Sequence, residues 1–315
     1  MTAVLEEDGR LTGDVRPSLY PLRLEMSCCA TQDEMHDNVR KTLIRGYTPI
    51  TRLLGRYHGE VCVVGSGPSL QDTWKDIQGD VLAINNSIKF LLEQGIVPKF
   101  GMIWDAAEIC EQFAVPHPDI IYLIGARCHP KVFERLKDCQ VYVWYAGGDH
   151  NINDFMFQYG LSEPMINGGS AGVTRAMYVA PVLGYRHLHL FGADSCYSFE
   201  GKTHVNGSLV PEKDFFVWIG NGEGKRCFRT TPEWCSQVNE FKDIYTTFCH
   251  PTIDIKVEVH GAGMLPHMWT LMKAKHAAGL IWDENGNYVE PHDDVAEQFP
   301  STQPLEEMNH ANVSQ

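Results

Sequence analysis

From residue 60 onward the chain repeats one pattern: a short apolar run, a cluster of turn residues, then an amphipathic stretch. Runs this short suit strands better than buried helices, and strands that alternate with helices lie parallel, because each helix carries the chain back to the same edge. Candidate strands fall at 60–65, 81–85, 100–104, 120–124, 140–145, 187–191 and 254–259, with helices near 31–55, 69–77, 87–94, 130–137, 171–183 and 232–248. The expected fold class is α/β, a Rossmann-like, mostly parallel sheet of about seven strands flanked by helices, with an inserted lid-like segment.

The pattern divides the chain. Residues 1–57 read as an N-terminal arm and helix, 58–260 as the Rossmann-like domain, 261–282 as a C-terminal helix spanning 264–282, and 283–315 as an acidic, disordered tail. Between 196 and 231 the alternation fails over a stretch too long for an ordinary connection, and such insertions usually cover a site.

Charge and composition exclude several classes. The formal charge of −14 is opposite to what a surface that neutralises nucleic-acid phosphates needs. Eight of the acidic residues sit in 283–315 without a Lys or Arg. No stretch approaches the roughly 20 apolar residues of a membrane helix, and the first residues lack a signal-peptide pattern, so a cytoplasmic protein with no membrane span is expected. The 10 cysteines are scattered without a C-x-x-C pair, which reads as free, mostly buried thiols. Cys28-Cys29 and Cys249-His250 are the metal candidates this spacing offers, and both lack the second half of a zinc motif.

The most informative segment is Val61 to Leu70, a buried strand running into Gly65-Ser66-Gly67-Pro68-Ser69. Glycines permit close backbone approach, Pro fits a first helical turn, and unsatisfied N–H groups at a helix start favour an anion. The segment therefore reads as a phosphate cradle, against the alternative of a tight turn with no ligand. A dinucleotide fingerprint would need Gly where Leu70 stands and an acid where Asn85-Asn86 follow the second strand. Walker motifs fail as well, since Cys196 and Ile219 occupy the first-Gly positions ahead of the two Gly-Lys pairs.

Ligands of parallel sheets sit beyond the carboxyl ends of the strands. Residues there are Asn85, Asp105, Arg127, Asp149, His150 and Asp194. Gly168-Gly169-Ser170 opens the helix at 171–183 and offers either a second anion contact or close helix packing. His204, in the insertion just after Asp194 and Tyr197, is a candidate acid or base.

Taken in order, Val-Gly-Ser-Gly-Pro-Ser-Leu at 64–70, Ala-Ile-Asn at 83–85, Trp104-Asp105, Gly-Gly-Ser-Ala-Gly at 168–172 and Phe191-Gly192-Ala193-Asp194 resemble the 6-hydroxymethylpterin diphosphokinase MptE-like family over about residues 58–260. The resemblance implies a transferase that moves diphosphate from ATP to a small, pterin-like hydroxyl acceptor with magnesium. It extends to motility-associated glycosyltransferase-like factors and to bacterial sialyltransferases, which use a CMP-activated sugar. In the first chemistry Gly65 to Ser69 would cradle phosphate, Asp105 and Asp194 would hold magnesium and His204 would serve the acceptor. In the second, His204 would be the base and Tyr197 or Arg127 would stabilise the departing phosphate. Asn85, Gly169 and Ser170 complete the expected nucleotide contacts. A nucleotide-binding module without turnover is the third expectation.

Overall fold

The computed structural model describes residues 30–147, 163–205, 214–220 and 224–277, together with two short strand pairs, β1 (Val4–Leu5) with β2 (Leu11–Thr12) and β14 (Ile281–Trp282) with β15 (Tyr288–Val289). Asp149, His150, Cys28, Cys29 and most of the acidic tail lie outside these residues.

Helix α1 (Gln32–Arg45) starts at Thr31, whose hydroxyl accepts from the Glu34 N–H while Glu34 accepts from the Thr31 N–H, a reciprocal cap. It stops at Gly46, where φ is +65°. The helix expected over 31–55 is thus cut short, and β3 (Thr48–Pro49) and a 3-10 turn at Ile50–Leu53 follow. The strands β4 (Glu60–Val64), β5 (Asp80–Ile84), β6 (Phe100–Ile103), β7 (Ile121–Gly125), β8 (Gln140–Ala146), β10 (His187–Phe191) and β13 (Lys256–Val259) match the apolar runs. With β3 and β9 (Met165–Ile166), they make a parallel nine-stranded sheet in the order β13-β10-β4-β5-β6-β7-β8-β3, β9 pairing with β8.

Both faces of the sheet are covered, which is why the strands read as nearly continuous apolar runs. Alternate residues Val61, Val63, Leu82, Ile84, Leu188 and Leu190 enter one core with α5 (Gly172–Leu183), α6 (Pro232–Phe248) and α7 (Met264–Ala277). Cys62, Val64, Val81, Ala83 and Phe191 enter the other with α1, α3 (Asn86–Glu93) and α4 (Pro130–Arg135). Among the described residues no helix is long and apolar enough to cross a membrane.

Two further expectations change. The helix foreseen at 69–77 is a single turn, α2 (Leu70–Thr73), followed by a 3-10 turn at Trp74–Asp76, because the chain must turn at Gly79 (φ +75°) into β5. The last helix ends at Ala277 instead of 282, and Ile281–Trp282 is strand. The insertion holds an antiparallel hairpin, β11 (Phe215–Ile219) with β12 (Arg226–Thr230).

The chain builds outward from β4 to β8, then returns through α5 to place β10 on the other side of β4. The strand order therefore reverses between β4 and β10, the position at which such sheets open a crevice at their carboxyl ends.

Candidate active site at the switch point

A cavity of about 160 Å³ lies at that reversal. Its described walls include Gly65 to Pro68 after β4, Asn85 after β5, Ala171 to Val173 at the start of α5, Gly192 to Cys196 after β10, Thr203 and His204 in the insertion, and Trp234 and Gln237 of α6. Small-molecule pockets commonly enclose about 300–1,000 Å³, so this one takes one end of a ligand rather than all of it.

The two glycine turns exist to touch each other. Gly65 N–H donates to Phe191 O (2.8 Å) and Gly67 N–H to Gly192 O (2.8 Å). A Cβ on Gly65 would meet Gly192 O at 2.5 Å, and one on Gly192 (φ +57°) would meet Gly65 O at 2.6 Å. On Gly67 it would meet Gly192 O at 2.7 Å and the Asp194 carboxylate at 2.8 Å. Gly67→Val is therefore expected to lower thermal stability, by about 1–3 kcal/mol as an overpacked site, and not only to obstruct a ligand. A melting curve unchanged from the parent's would show that the two turns are not clamped.

Asp194 locks the arrangement. It is 4% exposed, one oxygen accepts the Ser69 N–H (2.7 Å) and the other the Ser69 hydroxyl (2.6 Å). Burial raises its carboxyl to about 6, against the opposing pull of the two Ser69 hydrogen bonds. Ser69 is thus turned into Asp194, and its N–H is spent inside the protein. Beside it, Ser66 O accepts the Val205 N–H (2.9 Å), which ties the segment carrying His204 down onto the phosphate-loop candidate.

The second anion-type feature is the start of α5. Gly172 and Val173 are its first residues and line the cavity, so first-turn N–H groups and the positive end of a 12-residue helix face it. A Cβ on Gly172 would meet Ile84 at 2.8 Å, which keeps this turn tight on the sheet. Ser170 is not a wall of the cavity: its N–H and hydroxyl both donate to Glu240 of α6 (2.8 and 3.0 Å). Gly169, with φ +78°, serves the turn that precedes the helix and also lies outside the walls.

Two cavity residues carry positive φ without being glycine, Asn85 (+52°) and Ser195 (+54°). Such backbone costs energy and concentrates at functional sites. Asn85 lines the cavity, and its Oδ1 is buried with no hydrogen-bond partner among the described residues. His204 also lines the cavity; burial lowers its pKa, which favours neutral imidazole, and its Nδ1 lies 3.1 Å from Thr203 Oγ1. Cys196 is another wall residue, but burial pushes its thiol up to about 12, so it is no thiolate nucleophile.

The structure therefore brings Gly65, Ser66, Gly67, Pro68, Asn85, Asp194 and His204 together and leaves others apart. Asp105 stands outside the walls and accepts the Ala107 N–H (3.3 Å), which closes a local turn of the kind Asp side chains make with the backbone two residues on. Arg127 stacks on Trp104 (3.8 Å to the ring) and donates to Trp104 O (3.1 Å), beside a smaller cavity. Tyr197 is buried between Trp234 and Arg229. Sequence reasoning missed Gln237, whose Oε1 accepts from the Ser195 hydroxyl (3.0 Å), and Val173; of the Gly168-to-Gly172 motif it singled out Gly169 and Ser170, whereas Ala171 and Gly172 line the cavity. Gln237 carried no signal because its helix approaches the cavity only after folding.

The 6-hydroxymethylpterin diphosphokinase MptE-like family matches residues 34–200, more than half of the chain. The chain belongs to this family. The MptE-like match spans the first glycine turn, the α5 start and the Phe191-to-Asp194 segment, and stops just before His204. Comparison with curated proteins gives no match. Among solved structures, this MptE-like chain is similar to the MAf glycosyltransferase from Magnetospirillum magneticum AMB-1, with 17% identity, a TM-score of 0.49, and coverage of 78% of this chain and 42% of that one. It is also similar to the sialyltransferase CstII from Campylobacter jejuni, in complex with cytidine-5'-monophosphate, with 14% identity, a TM-score of 0.28, and coverage of 76% of this chain and 96% of that one. The chain thus spans less than half the length of the first of these.

Proposed function

We propose that the protein is a nucleotide-dependent transferase that moves a group from an activated nucleotide to an acceptor hydroxyl. The observation that carries this reading is the cavity at the β4/β10 reversal, where a glycine turn and the start of α5 flank a half-buried, neutral imidazole. Donor phosphate would lie against Ser66 and the Gly172-Val173 amides, since the Gly67 N–H is already given to Gly192 O. His204 would take the proton of the acceptor hydroxyl as its oxygen attacks.

Family membership supports diphosphate transfer to a pterin-like alcohol. The acceptor oxygen then bonds to the β-phosphorus, the bond from that phosphorus to the α–β bridging oxygen breaks, and nucleoside monophosphate leaves. Magnesium is a poor fit to the described walls: their one carboxylate, Asp194, is engaged at both oxygens by Ser69, and Asp105 is elsewhere. That engagement favours a second reading, transfer of a sugar from a CMP-activated donor, in which the acceptor oxygen attacks the anomeric carbon and CMP departs.

The test is a thermal-shift series with ATP, GTP, CTP, CMP and CMP-sugars, each with and without magnesium, since a ligand that binds only the folded state raises its melting temperature. Stabilisation by a triphosphate only with magnesium selects diphosphate transfer. Metal-independent stabilisation by cytidine nucleotides selects glycosyl transfer. Failure of every nucleotide to shift the transition would overturn the proposal, and binding without turnover of any donor would leave a nucleotide-binding module.

A further inference from the structure

Away from the cavity, at the β13 edge of the sheet, three histidines and two glutamates share one face. Register pairs His187 with Glu60 and Lys256, and His189 with Cys62 and Glu258. Because strand side chains alternate, Glu60, His187, His189, Glu258 and His260 point the same way, on the Cys62 and Phe191 side. His189 Nδ1 lies 3.1 Å from His260 Nε2 and 3.8 Å from Glu258 Oε2. The ligand atoms of this trio all fall within 4.8 Å of one another, and all three residues are half-buried.

These separations have a chemical meaning. Four ligands bound tetrahedrally at about 2.0–2.1 Å stand about 3.3 Å from each other. The two imidazole nitrogens, 3.1 Å apart, are close to that spacing, and the half-exposed Glu258 carboxylate stands 3.8 Å from one of them. Behind His189 the arrangement continues: its Nε2 is buried, lies 3.5 Å from Glu60 Oε2 and makes no aligned hydrogen bond, while Glu60 Oε1 is held by His187 Nδ1 at 2.8 Å. A carboxylate behind a ligating imidazole is the usual second layer of a metal site, since it fixes the ring and raises its basicity. His187 Nε2 is likewise buried without a hydrogen bond, 3.4 Å from Glu258 Oε1. Both nitrogens thus face carboxylates at 3.4–3.5 Å without an aligned hydrogen bond.

We propose that His189, Glu258 and His260 form a binding site for a divalent transition ion of the zinc type, with Glu60 and His187 orienting it. Two imidazoles and one carboxylate suit zinc better than magnesium or calcium, which take oxygen ligands. A second trio, Glu60, His187 and His189, uses the other nitrogen of the same ring, but its carboxylate is exposed and already hydrogen-bonded to His187. The ion would fasten edge strand β13 to β10. It would also steady Gly261, whose backbone sits against Ser69, the partner of Asp194.

The experiment uses the full chain without a histidine tag, stripped with EDTA and titrated with Co²⁺. The expected result is one equivalent bound with the visible absorption of tetrahedral cobalt, displaced by Zn²⁺, and a higher melting temperature with either ion. Glu258→Gln and His260→Gln should each weaken binding at least tenfold, Glu60→Gln about tenfold, and His250→Gln not at all. Absence of the cobalt band in the parent, or equal binding by the parent and Glu258→Gln, would overturn the proposal. Glu258 is half exposed, so its variant decides the matter even if His260→Gln fails to fold.

Discussion

Asp194→Ala is expected to destabilise the protein by about 2–4 kcal/mol, because it strips two charge-assisted acceptors from the N–H and hydroxyl of a buried Ser69. Urea denaturation checks this, and in a chain of this size the melting temperature should fall by roughly 5–10 °C. Asp194→Asn keeps the shape but offers one acceptor for two donors, so it should lose about 1–3 kcal/mol. The pair also predicts a pH dependence. The folded value of about 6 exceeds the ordinary 3.8, so the folded protein holds this proton more tightly than the unfolded chain does. The contribution is complete below the unfolded value and is lost as pH rises through the folded one. The stability of the parent relative to Asp194→Asn should therefore decline between about pH 4 and 7. A difference that stays flat across that window would show that Asp194 is not the group that titrates.

His204→Ala should lower turnover by about 10²–10⁴-fold while leaving the nucleotide thermal shift near the parent's, since a base acts on the acceptor in the transition state and not on the donor in the ground state. Burial lowers the His204 pKa, so the acid limb of the parent's rate profile should lie below the ordinary imidazole range and vanish in the variant. Retention of turnover within a few fold of the parent would remove His204 from the reaction.

The sheet was legible because both of its faces are covered, so each strand shows as an apolar run even without alternation. The glycine turn at 65–67 and the strand-end Asp194 were legible individually, since local sequence reports turns and strand ends. Their relation was not. Ser69 and Asp194 are separated by 125 positions, and nothing local shows that one donates to the other or that Gly65 and Gly192 share a contact. The same reason hid the histidine cluster: His-Leu-His in β10 and Glu-Val-His at the end of β13 are ordinary alternations until the strand order makes them neighbours. Short elements such as β3 and β9 hold two residues each, too few for any period to register.

The reversal between β4 and β10 also has a consequence for how the molecule is made. A ribosome that has just released Ser69 must extend the chain by 125 residues before Asp194 exists, an interval of about 6–25 s at roughly 5–20 residues/s. Throughout that interval β4 can pair with β5 on one side only, and its other edge, apolar along Val61 to Val64, presents open backbone groups to whatever is nearby. The nascent chain thus carries its half-built glycine turn beside a vacant strand slot, and the arrival of β10 fills the slot and brings Gly192 and Asp194 to the turn.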